Sequence, residues 1–189
     1  MPNHLPDDVL AFWFGEAADY GKRHTRWFEK DAAFDADVTA RFRDLPSRLA
    51  PSREWVDPAR ACLARIVALD QFPRHIYRGR PEAFASDAAA LSAAKHAIDR
   101  GYDRGLLAVE RLFMYLPFEH SENLEDQERA CALCAPLCDY PETEDAHRYA
   151  LAHRDIIRRF GRFPHRNTIL GRASTLEELE FLKHPGSSF

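Results

Sequence analysis

The sequence predicts an all-α fold, and three observations carry that expectation. Residues branched at Cβ are scarce, with five Val, six Ile and five Thr among 189 residues. A pleated sheet favours such residues, because the branch packs well there and loses rotamer freedom in a helix. Ala, Leu, Arg and Glu, all good helix formers, dominate instead. Apolar residues also recur at helical spacing along most of the chain. Eight glycines are few for an all-β chain built on tight turns. The 22 Arg against 4 Lys imply no ligand alone, since a GC-rich genome enriches Ala, Arg and Pro together.

Each element follows from local signals. Asp7 and Asp8 open a short apolar helix over 9–14, closed by Gly15. A second helix is expected over 25–42, where Trp27, Phe28, Phe34, Val38 and Phe42 lie near helical spacing. Residues 45–55 carry two prolines and read as a connector. Asp57-Pro58 predicts a helix start, with a side-chain cap followed by proline at the first helical position. The stripe Cys62, Ile66, Leu69 and Phe72 follows until Pro73 interrupts it. Pro81 opens the next helix, which Gly101 closes; residues 106–116 form another, stopped by Pro117. Ser121 or Asn123 caps a helix through Cys131 and Cys134, and Pro141 begins one that ends at Gly161. Ser174 and Glu177 read as the capping box of the last helix.

The expected architecture is about eight helices in one compact antiparallel array over 1–183, with 184–189 as a frayed tail. No 34-residue repeat is evident, although Phe72-Pro73-Arg74-His75 and Phe163-Pro164-His165-Arg166 form a weak echo.

Charge and cysteine usage narrow the class of function. The net charge of −4 excludes a generally cationic nucleic-acid binder, so no nucleic acid is expected as partner. The longest uncharged run, 130–138, spans nine residues, against the ~20 a membrane-crossing helix needs. The start MPNHLPDD lacks a basic and apolar leader. Four cysteines make no disulfide scaffold, and a reduced cytoplasm is the expected home. Charges are unevenly placed: Glu119, Glu122, Glu125, Asp126 and Glu128 form one block, and Arg154, Arg158, Arg159, Arg162, Arg166 and Arg172 another. Either the blocks face one another, or the basic one forms an anion-attracting surface.

Familiar catalytic signatures are absent. No Walker loop, Gly-x-Gly-x-x-Gly turn or Gly-x-Ser-x-Gly elbow occurs. Glu144-x-x-His147 is half of a di-iron signature without its second half. The spacing of Cys131, Cys134 and Cys138 is helical and reads as core packing rather than a metal site; no metal or cofactor is expected. His153 lies in an apolar stripe and reads as a hydrogen-bonded core histidine, and the three tryptophans read as core. Two turns are less bland. Gly161 and Pro164 place Arg162, His165, Arg166 and Asn167 on a constrained turn, where four donors suit a phosphate or carboxylate, or alternatively satisfy helix-end carbonyls. After Pro117, His120 is a candidate base or metal ligand, although capping by Ser121 accounts for the same pattern.

Five segments together, FWFGE, RWFEKDAAFD, LDQFPRHIYRG with AFASD, RLFMYLPFEHSENLEDQ and HRDIIRRFGRFPHRNTILGR, resemble the domain-of-unknown-function 924 family. The resemblance spans almost the whole chain; FGRFPHRN and LPFEHSE are its most specific parts. It implies an all-α, tetratricopeptide-like fold and supplies no activity. Its distinctive stretches, 70–75, 119–127 and 162–172, are polar turns at Pro-broken helix ends, and they are expected to meet in one cleft.

The first functional expectation is a binding protein whose cleft holds an anionic small molecule or an acidic peptide end. Arg74, Arg162, His165, Arg166 and Arg172 would contact it, with Asn167 on the same turn. Asp70, Gln71, Glu119 and Gln127 would orient the arginines or bond the ligand. The alternatives are a hydrolase using His120 or His165 as general base, and an interaction scaffold for a protein partner. The enzyme reading requires a histidine bonded to an acid and facing a cavity.

Overall fold

The computed structural model describes residues 5–188, the side chain of Ala17 excepted, and they contain α-helices and 3₁₀ turns but no strand. The leader comparison at residues 1–4 and the last residue of the expected tail lie outside the described residues.

Helix α1 (Pro6–Phe14) starts with proline at its first position and Asp7 and Asp8 in its first turn; it buries Val9, Leu10, Trp13 and Phe14. The helix expected over 25–42 divides instead. A 3₁₀ turn covers Thr25–Trp27, and α2 (Ala32–Phe42) begins afresh because the Asp31 carboxylate accepts the Ala33 and Phe34 amides. The connector expected over 45–55 contains a short helix, α3 (Leu45–Leu49), whose Pro46 sits in the first turn where no amide is needed.

Helix α4 (Ala59–Asp70) is the centre of the molecule, with every residue from Ala61 to Asp70 buried. Its alanines let α1, α6 and α7 approach it. Asp57 does not cap it: its carboxylate accepts from the Tyr102 hydroxyl and lies 3.2 Å from His96 Nε2. After α4 come α5 (Phe72–Ile76), a 3₁₀ turn at Pro81–Phe84 and α6 (Asp87–Asp99).

Helix α7 (Ala108–Glu119) passes through Pro117 rather than stopping there. The proline forfeits one amide near the end of the helix, but the His120 amide still bonds the Leu116 carbonyl at 2.9 Å and carries the turn onward. Asn123, not Ser121, caps α8 (Leu124–Cys134), and the Ser121 hydroxyl donates to Asp126 instead. Helix α9 (Ala146–Phe160) ends at Gly161, whose φ of 69° is the left-handed conformation. The box capping α10 (Leu176–Phe181) is Thr175 with Glu178, one residue beyond the expected pair, because Ser174 accepts from Asn167 Nδ2.

Successive helices pack on one another, α6 on α7, α7 on α8 and α8 on α9, while α2 packs on α5. This is the all-helical array the sequence predicts. One continuous core runs from α1 to α9, and a satellite of Ile156, Ile157 and Phe163 lies under Phe160 and Phe181. Trp13 stacks on Trp27 and meets Phe72 and Phe113 edgewise or tilted, inside that core. Cys131 and Cys134 are buried as expected, but Cys138 is exposed, since the 3₁₀ turn at Ala135–Asp139 ends the helical phase that aligned the three. Among the described residues no helix is long and apolar enough to cross a membrane.

Candidate functional site

Helices α5, α7 and α9, with the segments before α2 and after α9, enclose a cavity of about 710 Å³. Its walls are apolar along Trp27, Phe28, Phe84, Leu112, Leu116 and Ile169. Its polar lining includes Gln71, Arg74, His75, Glu119, His120, His153, His165 and Arg166. Residues from all three distinctive stretches therefore meet there, and both halves of the Phe-Pro echo deliver their Arg and His to it.

Behind the lining, Asp70 is fully buried and lies 2.8 Å from His120 Nδ1 without itself reaching the cavity. Gln71 and Arg74 also bond Asp70, Arg74 through the backbone carbonyl. Burial pushes the Asp70 carboxyl up, but Arg74 and His120 outweigh it and hold the group below the usual carboxylate range. An ionised carboxylate only accepts, so His120 donates from Nδ1 and keeps its lone pair on Nε2. Burial, reinforced by Arg74, holds the His120 pKa below its ordinary value against the pull of Asp70. The ring is neutral at pH 7.

A second pair has the same form. His75 Nδ1 lies 2.7 Å from Asp35, which Arg78 grips through two nitrogens at 2.8 Å. Burial again depresses the imidazole.

Two guanidiniums stand beside His120. Arg74 binds Asp87 through both terminal nitrogens, at 2.9 and 3.1 Å. Arg166 is only 7% exposed and lies against the rings of Phe84 and Phe163, 4.8 and 4.5 Å from their centroids. One Nη of Arg166 donates to the His120 carbonyl at 3.1 Å and stands 3.6 Å from Asp87; its Nε is buried without a hydrogen-bond partner. Burial, and then the charge of Arg74, lowers its pKa to about 10.

Glu119 is buried, with Cys134 Sγ–H donating to it at 3.3 Å and His153 Nδ1 3.5 Å away. Burial pushes its carboxyl up to about 8, so it is mostly protonated at pH 7. His153 donates to the Tyr149 carbonyl at 2.8 Å, as expected of a core histidine, and burial lowers it to about 3. Burial and Arg166 lower His165 to about 4.

Several sequence-predicted residues lie elsewhere. Arg162 is bidentate on Glu178, at 2.6 and 2.8 Å. Arg172 grips Glu122 at 2.7 and 3.0 Å and also bonds Asn167. Asn167 spans Ser174 and Arg172, and Gln127 donates to the carbonyls of Glu119 and Ser121. These four hold the turns in place and do not line the cavity. Arg158 pairs with Glu128 as Arg172 does with Glu122, so the two blocks meet at Glu128 and Glu122, while Arg159 and Arg162 turn to Glu177 and Glu178 and Asp126 to Lys95. Sequence reasoning missed Trp27, Phe28, Phe84 and Tyr149 as cavity walls, because their spacing signals burial and not which side of a helix stays open. It also gave no role to the His75–Asp35 pair, whose members are 40 residues apart. Among the described residues, no cluster of three His, Cys, Asp or Glu is arranged to hold a metal ion.

No curated relative matches the chain. A solved structure of a protein of unknown function, ATU0120 from Agrobacterium tumefaciens, is similar, with 40% identity over 94% of this chain and 96% of that one and a TM-score of 0.81. The family model for DUF924, described as a bacterial protein of unknown function, matches residues 9–186. With the match covering nearly all of the helical array, the chain belongs to the DUF924 family.

Proposed function

We propose that the protein binds a small molecule with a carboxylate head and an apolar body in this cleft. The carrying observation is Arg166: a buried guanidinium with one backbone carbonyl acceptor, a carboxylate no nearer than 3.6 Å and an orphaned Nε. Five donors in a planar fork are poorly used there, and a carboxylate in the cleft would supply acceptors for the Nη groups, the Nε being sealed from it. Arg74 would add charge, and Phe84, Leu112, Leu116 and Ile169 would take the apolar body.

Thermal shift and calorimetry with phenylacetate, hexanoate and neutral phenylacetamide test this reading. A carboxylate at about 100 times its Kd adds about 2.7 kcal/mol, which for a domain of this size raises Tm by roughly 5 to 10 °C. The amide should give no shift. Arg166→Ala should abolish the response, while Arg162→Ala, whose guanidinium is held on Glu178, should retain it. A flat response to both acids, or one unchanged in Arg166→Ala, would refute the anion site and favour a protein partner.

A further inference from the structure

We infer that the cleft is also catalytic, hydrolysing the carboxylic ester of the acid it binds, with His120 as general base, Asp70 as its positioning residue and Arg166 as the stabiliser of the oxyanion. The inference rests on the anion-site reading, because the acid product would occupy the place where negative charge develops during attack.

Three geometric facts support it. The His120–Asp70 bond of 2.8 Å fixes the ring and its tautomer, and leaves Nε2 for the cleft that His120 lines. The Arg166 Nη–carbonyl bond of 3.1 Å ties the guanidinium to the backbone of the same residue, so base and cation are held in fixed register. Among the described residues no Ser or Cys side chain is hydrogen-bonded to His120, and water is taken as the nucleophile. The neutral state of His120 at pH 7, set by burial and Arg74, is the state a base needs.

The step balances without a further reactant. His120 Nε2 takes a proton from water as the water oxygen bonds the acyl carbon, and the carbonyl electron pair moves onto oxygen beside Arg166. When the carbonyl re-forms, the bond to the alkoxy oxygen breaks, and His120 returns its proton to that oxygen. Alcohol and carboxylic acid leave, the acid ionising as carboxylate.

The test uses the whole chain with the p-nitrophenyl esters of phenylacetic and hexanoic acids, following nitrophenolate release. Saturable hydrolysis is expected, with kcat/KM lowered at least ~100-fold in both His120→Asn and His120→Gln, the scale of general-base catalysis. Circular dichroism establishes that each variant folds. Independently of any variant, phenylacetate should inhibit competitively with a Ki equal to its Kd for the cleft. Absence of saturable hydrolysis, retention of activity in folded His120 variants, or a Ki unrelated to that Kd would each overturn the inference. If phenylacetate binds through Arg166 yet its ester is untouched, only catalysis falls; if neither holds, the anion site falls with it.

Discussion

Glu119 sits beside Cys134 and His153 with its carboxyl raised to about 8. The same group in the unfolded chain ionises near 4.3. Between those values the unfolded state sheds a proton that the folded state keeps, so the contribution of Glu119 to stability is full below pH ~4 and is lost as pH rises toward 8. The loss at pH 7 is on the order of 3 kcal/mol. Glu119→Gln keeps the shape and an acceptor for the Cys134 thiol but cannot ionise. It should match the parent at pH 4 and exceed it in urea denaturation at pH 7; equal stability at both would show that Glu119 is charged in the fold. Arg162 and Arg172 show the opposite residue behaviour, since each spends its fork on one carboxylate and so builds the turn that carries Arg166.

At the scale of elements, the cleft depends on helix ends. Helix α9 must stop so that Phe163 and Arg166 can fold back toward His120, and Gly161 stops it in the left-handed conformation, its amide bonding the Ile157 carbonyl at 2.8 Å. A methyl group added there would meet no atom within 4 Å, so Gly161→Ala isolates backbone strain from crowding. It should cost about 1 kcal/mol in urea denaturation. A neutral result would mean that the turn tolerates another conformation. Pro117 contributes in the reverse sense: by letting the last turn of α7 continue, it carries Glu119 and His120 beyond the point where a break would have left them.

For the whole molecule, the notable feature is how many histidines are kept neutral in the interior of the cleft. His153 and His165 are held at about 3 and 4, and His75 and His120 are also depressed, in each case by burial first. Unfolded histidine takes its proton near pH 6.5. Below that value the unfolded chain binds protons the folded chain refuses, so stability is full above pH 6.5 and is lost as pH falls toward the folded values. His153 alone accounts for about 3 kcal/mol between pH 6.5 and 4. Protonation of Glu119 returns a similar amount over the same range, so the net fall below pH 6.5 rests on His165, His75 and His120 as well, and His153→Gln should move the acid transition downward. A transition confined to pH below 4 would refute this.

The sequence by itself determined the helical class, the family and most helix boundaries. Such features are local: a capping Asp31 or Asn123, a stopping Gly161 and an apolar stripe act within a turn or two of chain. Of the polar residues it singled out, Gln71, Arg74, Glu119, His120, His165 and Arg166 line the cavity. Where local rules compete, the reading slipped by a residue at Thr175 and by a turn at Pro117, and by more where a 3₁₀ turn precedes the helix, as at Thr25–Trp27, Pro81–Phe84 and Pro141–Thr143. Tertiary structure alone decided the partners. Asp70 and His120 lie 50 residues apart, as do Glu122 and Arg172. Nothing in a helical period states which face of one helix meets which face of another. An arginine on a polar turn looks the same in sequence whether a carboxylate of the same chain already fills its fork, as Glu178 does for Arg162, or leaves it short of acceptors, as at Arg166. Packing register sets that difference, and it separates the residues that build the cleft from those that face into it.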